Sequence, residues 1–163
     1  MKMAKGKLVK TNAVRLLDQQ KISYNLIEYD VDDHIDGVSV AKKVGFPVSH
    51  VFKTLVTTAG SGKFFVFVIP VSEELDLKGC AKISGVKKLE MLHVKDLLAT
   101  TGYVRGGCSP IGMKKLFPTF LDESVHQLEY IVVSAGKIGM QIKLHPQHLI
   151  SVTNARVAKL TVL

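Results

Sequence analysis

The segment from Val51 to Pro70 limits what this chain can fold into more than any other. Val51-Phe52-Lys53-Thr54-Leu55-Val56-Thr57-Thr58 is rich in β-formers, and Gly60-Ser61-Gly62 turns it into Lys63-Phe64-Phe65-Val66-Phe67-Val68-Ile69-Pro70. Branched and aromatic side chains suit a pleated backbone, and glycine supplies the positive φ of a tight turn. The second run has no polar face, so the segment reads as a hairpin whose second strand is buried on both faces. Lys53 stands out in it. Period-two alternation places Val51, Lys53 and Leu55 on one face, opposite Phe52, Thr54 and Val56. A lysine so placed reaches solvent, pairs with an acid, or points into a cleft where a ligand brings negative charge. A gatekeeper on an edge strand is the alternative reading.

Around this hairpin the chain alternates short helices and strands. Thr11-Asn12 can cap a helix from Ala13 to about Gln20 with Val14, Leu17 and Leu16 inward, and Ile22 to Tyr29 reads as a strand. The acidic loop Asp30 to Gly37 has an Asp spacing faintly like a calcium loop, but the closing Glu is missing. Ser39 can cap a helix over Val40 to Val44, ended by Gly45 and Pro47. Helices are expected over Leu75 to Ser84 and Val94 to Thr100, with Lys87 to Leu92 ambiguous and a strand at Pro118 to Leu121. Tyr130 to Ser134 and Met140 to Leu144 make a second hairpin, Pro146 opens a last helix through Ile150, and Ala155 to Val162 alternates like a final strand. Strands in hairpins separated by helices argue for an α+β fold around a mixed sheet. No repeat or low-complexity tract marks a boundary, so residues 1–163 are expected to form a single domain.

Composition bounds the function. The 163 residues carry 22 Lys plus Arg against 14 Asp plus Glu, a formal charge of +8, which favours a polyanionic partner such as nucleic acid. Trp is absent and aromatics are only 7%, so contact with RNA would rest mainly on phosphates rather than on stacked bases. No apolar run approaches the roughly 20 residues of a membrane span. The basic stretch Met1 to Lys7 is not followed by a signal-peptide core, and two cysteines make no disulfide framework, so a cytoplasmic protein is expected.

The stretch Thr101-Gly102-Tyr103-Val104-Arg105-Gly106-Gly107-Cys108-Ser109-Pro110-Ile111-Gly112 holds four glycines in twelve residues. Such a loop can aim several N–H groups at one point, where they would hold a phosphate, a carboxylate or a developing oxyanion; a plain corner is the alternative. Cys108 would be a nucleophile only if loop dipoles and Arg105 lowered its pKa. Ser109 and Ser134 lack a G-x-S-x-G setting, the loop lacks the closing Lys-Ser/Thr of a Walker motif, and His145 and His148 have no ligand partners, so no metal is expected.

Several motifs agree on one resemblance. Val51-Phe52-Lys53-Thr54-Leu55, Leu75-Asp76-Leu77-Lys78, Thr101-Gly102-Tyr103, Gly106 to Lys115 and Val133-Ser134-Ala135-Gly136-Lys137-Ile138-Gly139 follow the order seen in the YbaK/EbsC family, which they resemble from about Thr11 to Leu160. Those proteins are bacterial Cys-tRNA(Pro) deacylases, similar to the editing domain inserted in bacterial prolyl-tRNA synthetases. The resemblance implies an α+β fold around a mixed, barrel-like sheet with one cleft for the 3′ end of a mischarged tRNA, and no cofactor. It implies catalytic roles for Lys53, for Gly106, Gly107 and Ser109 in the G-x-x-x-P loop, and for Ser134. It places Tyr29, Cys108, Pro110 and Gly136 about the substrate, with Cys108 at a variable position of the loop. Gln141 departs from the family, whose better-known members carry an acidic residue there, and this leaves the amino-acid preference open. The function implied is trans-acting removal of cysteine from Cys-tRNA(Pro), assisted by the substrate's own thiol. An Ala-tRNA(Pro) deacylase and a non-catalytic module binding tRNA or a synthetase are the alternatives. The implied partners are the acceptor end of tRNA and prolyl-tRNA synthetase, and no membrane.

Overall fold

The computed structural model describes residues 10–162; the basic run at Met1 to Lys7 lies outside them. The first helix, α1 (Asn12–Gln19), starts where Thr11 Oγ1 accepts from the N–H of Val14 at 3.2 Å. The same hydroxyl donates to the carbonyl of Ala135 at 2.5 Å, so the cap also ties α1 to the second hairpin. Ala13, Val14 and Leu17 face inward. Strand β1 (Asn25–Glu28) is shorter than the expected Ile22 to Tyr29, because the chain reverses at Lys21 (φ 56°) and the N–H of Ile22 closes α1 on Leu17 O at 3.0 Å. Helix α2 (Gly37–Val44) also corrects the sequence reading. Its cap is Asp36, whose carboxylate accepts both the N–H and the hydroxyl of Ser39, so the helix begins before Ser39.

The expected hairpin is present as β2 (Phe52–Gly60) and β3 (Lys63–Pro70), antiparallel with Lys53 opposite Ile69. Short β4 (Glu90–Met91) pairs with β2 only at Thr57 and Thr58. On the other side β5 (Thr119–Asp122) runs parallel to β3, and β8 (Arg156–Ala158) runs parallel to β5. The second sheet is antiparallel, ordered β1-β7-β6, with β6 (Ile131–Lys137) and β7 (Met140–Leu144) as its hairpin. The α+β expectation and the mixed sheet therefore hold, but the barrel-like closure does not. Two sheets meet at one isolated parallel bridge, Val51 to Val132, supported by the N–H of Val132 on His50 O at 2.8 Å. On the N-terminal side the ladder stops because the chain before Val51 folds into a turn (His50 N–H to Pro47 O).

Helices α3 (Leu77–Ser84), α4 (Val94–Thr101) and α5 (Pro146–Thr153) complete the expected set. A 3-10 helix (Glu123–Gln127) was not foreseen; Asp122 caps it by accepting from Ser124 N–H. The same carboxylate takes the N–H of Leu160, which pulls the chain out of β8 well before the expected Val162. The core explains why β3 is apolar throughout. Val66 and Val68 join the largest cluster, which packs α1 against Ile131, Val133 and Ile142, while Phe67 and Ile69 face Cys80 and Ala81 of α3. Both faces are covered, and burial of apolar area on each drives the two-layer arrangement. At Lys53, β2 is paired on one side alone, and the space beside it becomes the cleft.

Candidate functional site

A cleft of about 570 Å³ opens at the junction of the two sheets, a size common for small-ligand sites. Four parts of the chain meet there: Lys53 and its neighbours on β2, the acidic loop running into α2, the glycine loop through Arg105, Gly106 and Cys108, and Ser134 with Gln141 on the second hairpin. Ser134 and Gln141 are direct cross-strand partners. Lys53 is half-buried, and the ion pairs among the described residues, Lys10–Asp18 and Lys43–Asp32, do not include it. A cleft-lining ammonium that makes no ion pair among the described residues is suited to an anionic ligand group.

The glycine loop is held from within. Tyr103 is buried and its hydroxyl donates to Ile111 O at 2.7 Å; Ser109 is fully buried and its Oγ accepts from Ile111 N–H at 3.2 Å. Ser109 and the buried Pro110 thus shape the loop from inside and do not line the cleft. Gly107 is also buried. Its N–H is taken by Val104 O at 3.0 Å, and a Cβ there would meet Ile138 N at 2.9 Å and Lys137 C at 3.0 Å. The two glycine-containing loops abut so closely that only hydrogen fits between them. Gly106 sits at φ +87°, facing the cleft, with Ile35 of the acidic loop 3.1 Å from where a Cβ would stand. Gly136, at φ +99°, supports Ser134: its N–H donates to Ser134 Oγ at 3.1 Å, which leaves the hydroxyl hydrogen of Ser134 free to donate into the cleft.

Cys108 lines the cleft but is no nucleophile at neutral pH. Burial pushes its thiol up to about 12. A protonated thiol is a poor nucleophile. Tyr29 falls outside the cleft, in a separate depression it shares with Lys137 to Met140, with the Lys43 ammonium 5.8 Å from its ring centroid. Two carboxylates of the acidic loop are already engaged: Asp32 pairs with Lys43 at 2.5 Å and Asp36 caps α2, and these contacts hold both carboxyls below their usual range. His145 Nδ1 accepts from Gln147 N–H and caps α5. Among the described residues no three His, Cys, Asp or Glu side chains converge on a metal position.

Asp33, Ile35, Asp36, Val38 and Arg105 line the cleft although none had been singled out as a site residue. Asp36 is a preferred N-cap residue type, whose side chain can accept the N–H three residues on, and it would have placed the start of α2, and with it this wall. No described helix is long and apolar enough to cross a membrane.

The family model described as an aminoacyl-tRNA editing domain matches residues 36–152, a span that takes in the lining of the cleft apart from Asp33 and Ile35. EbsC of Enterococcus faecalis, provisionally named a Cys-tRNA(Pro)/Cys-tRNA(Cys) deacylase, is 53% identical over 161 residues, covering 98% of each chain. The proline–tRNA ligase of Shouchella clausii is 26% identical over 99 residues, which are 61% of this chain and 17% of that protein. A solved structure described as a provisional trans-editing enzyme for prolyl-tRNA synthetase superposes with a TM-score of 0.82 at 22% identity, over 96% of this chain and all of the other. A family match across most of the chain, and a half-identical relative of the same length, make this protein a member of the aminoacyl-tRNA editing domain family.

Proposed function

We propose that this chain is a single-domain, trans-acting deacylase that removes cysteine from Cys-tRNA(Pro), the misacylated product of a prolyl-tRNA synthetase. The observation that carries the reading is the 53% identity, end to end, with EbsC, joined to a cleft that brings Lys53, Gly106 and Ser134 together. Selection against cysteine at a separate site makes chemical sense, because a pocket for proline discriminates weakly against an acyl group of similar size.

An aminoacyl ester is activated already, so positioning and charge stabilisation suffice. Lys53 anchors a phosphate or the ribose of the terminal adenosine. The substrate's sulfur attacks the ester carbonyl carbon, the carbon–oxygen bond to ribose breaks, and the thiol proton passes to the departing ribose oxygen. The products are free tRNA and a cyclic thioester of cysteine. The N–H of Gly107 is committed to Val104, so the oxyanion falls to the backbone beside it, at Gly106 and Cys108, and to the free hydroxyl hydrogen of Ser134.

The test is release of amino acid from charged tRNA. Cys-tRNA(Pro) should be deacylated much faster than Ala-tRNA(Pro), since alanine has no thiol. Equal rates on both would replace cyclisation with hydrolysis by water. No release from either, with tRNA still bound, would leave a non-catalytic module.

A further inference from the structure

Two residues that line this cleft each hold a buried side-chain oxygen with no hydrogen-bond partner: Thr54 Oγ1 and Gln141 Oε1. They come from different sheets, Thr54 from β2 and Gln141 from β7, and Gln141 is only 6% exposed. Buried polar groups are nearly always paired, and leaving one unpaired is costly. Two in one cleft point to an occupant that pairs them.

We propose that Thr54 and Gln141 form a neutral polar subsite that takes the side-chain thiol or hydroxyl of the acyl group. The inference rests on the deacylase reading above and specifies how its site recognises the acyl group. Charge within the cleft favours this occupant. Lys53 and Arg105 supply the cations for phosphate, and Asp33, which makes no ion pair among the described residues, supplies an anion for the α-ammonium. Thr54 and Gln141 carry no charge, and each side chain both donates and accepts, as a small X–H group requires. Both oxygens are screened from solvent, so engagement takes rotation about a side-chain torsion in each residue. An alanyl group leaves both unpaired, whereas a cysteinyl or seryl group satisfies them. A site built to hydrogen-bond its ligand rejects the analogue that lacks the bonding group.

The experiment measures affinity rather than turnover. Acceptor-stem minihelices are prepared with cysteine, serine or alanine joined to the 3′ end through a non-hydrolysable amide, alongside the uncharged RNA. The cysteinyl and seryl forms should bind about tenfold tighter than the alanyl form, in the range of one buried hydrogen bond. Gln141→Leu and Thr54→Val should each narrow that gap, with binding of the alanyl and uncharged RNAs unchanged, which also reports an intact fold. Equal binding of all three acylated RNAs, each tighter than uncharged RNA, would overturn the subsite and leave the deacylase reading standing. A gap that survives in both variants would overturn it too. If no acylated RNA binds tighter than the uncharged one, the deacylase reading itself fails and takes the subsite with it.

Discussion

The ring of Tyr103 occupies the space where Gly136 would carry a side chain: a Cβ at Gly136 would stand 2.6 Å from Tyr103 Cε1. One buried ring thus braces the glycine loop, through its hydroxyl on Ile111 O, and fixes how closely the second hairpin approaches it. Gly136→Ala meets both this ring and a left-handed backbone at φ +99°. It should destabilise the protein by about 2–4 kcal/mol, the combined cost of overpacking and strain. Tyr103→Phe, which loses only the hydrogen bond, should cost about 1 kcal/mol. Urea denaturation of the two variants checks the order; equal stabilities would mean that the ring gives way freely.

Lys53→Ala should lower deacylation at least about 100-fold, as loss of a charge-assisted contact to a substrate phosphate does, while thermal stability barely changes. The reason is that Lys53 is half-buried at a cleft and makes no ion pair among the described residues. A folded Lys53→Ala protein with wild-type turnover would return this lysine to the role of a strand-edge gatekeeper.

How far the sequence could be read depended on whether a residue's partner was local. Thr11 capping α1 and Gly60-Ser61-Gly62 turning β2 into β3 involve neighbours only, and both were legible. Leu160 was not, because its N–H goes to Asp122, 38 residues away, and so cuts β8 short. Closure of the sheet failed for the same kind of reason, being decided by a single bridge between Val51 and Val132. In the cleft, the motifs pointed to Lys53, Gly106 and Ser134, which the fold brings together. They could not show that Ser109 and Gly107 face inward, or that Asp33 and Ile35 form the opposite wall. Those facts depend on how two loops and a helix start pack against one another.

Alkaline pH should weaken the fold. Burial raises the thiols of Cys80 and Cys108 from 9.0 to about 12, and the phenol of Tyr103 from 10.0 to about 12. These groups ionise first in the unfolded chain. Their stabilisation is therefore complete below pH 9 and is lost as pH rises toward 12. Urea midpoints taken from pH 8 upward should fall across that window, and Cys108→Ala should make the fall shallower. An unchanged slope would mean that the thiol of Cys108 titrates as freely in the folded protein as in the unfolded one.

Affinity for tRNA should fall steeply with salt. A net charge of +8 with few aromatics leaves phosphate contacts as the main source of binding, and each one made releases a counterion. Titrations at several salt concentrations would give the number of phosphates engaged. A flat dependence would show that the basic surface is incidental to recognition.

The last prediction separates attack by the substrate's thiol from attack by the protein's own. Were Cys108 the nucleophile, Cys108→Ala would abolish turnover, as removal of an acyl-accepting thiol does. The structure argues otherwise, since burial pushes that thiol up to about 12. The loop's contribution lies in its backbone, which Cys108→Ala leaves nearly unchanged. The variant should therefore keep most of its activity, and capping the thiol of the tRNA-bound cysteine should stop the reaction. Either result alone is ambiguous, because a capped thiol is also bulkier and would be excluded by a tight cleft. Seryl-tRNA(Pro) removes that ambiguity: its hydroxyl is smaller than a thiol and a much weaker nucleophile. It should bind and yet be released far more slowly than the cysteinyl ester. A folded but inactive Cys108→Ala protein, together with cleavage of the capped substrate by the wild type, would overturn cyclisation and return the chemistry to Cys108.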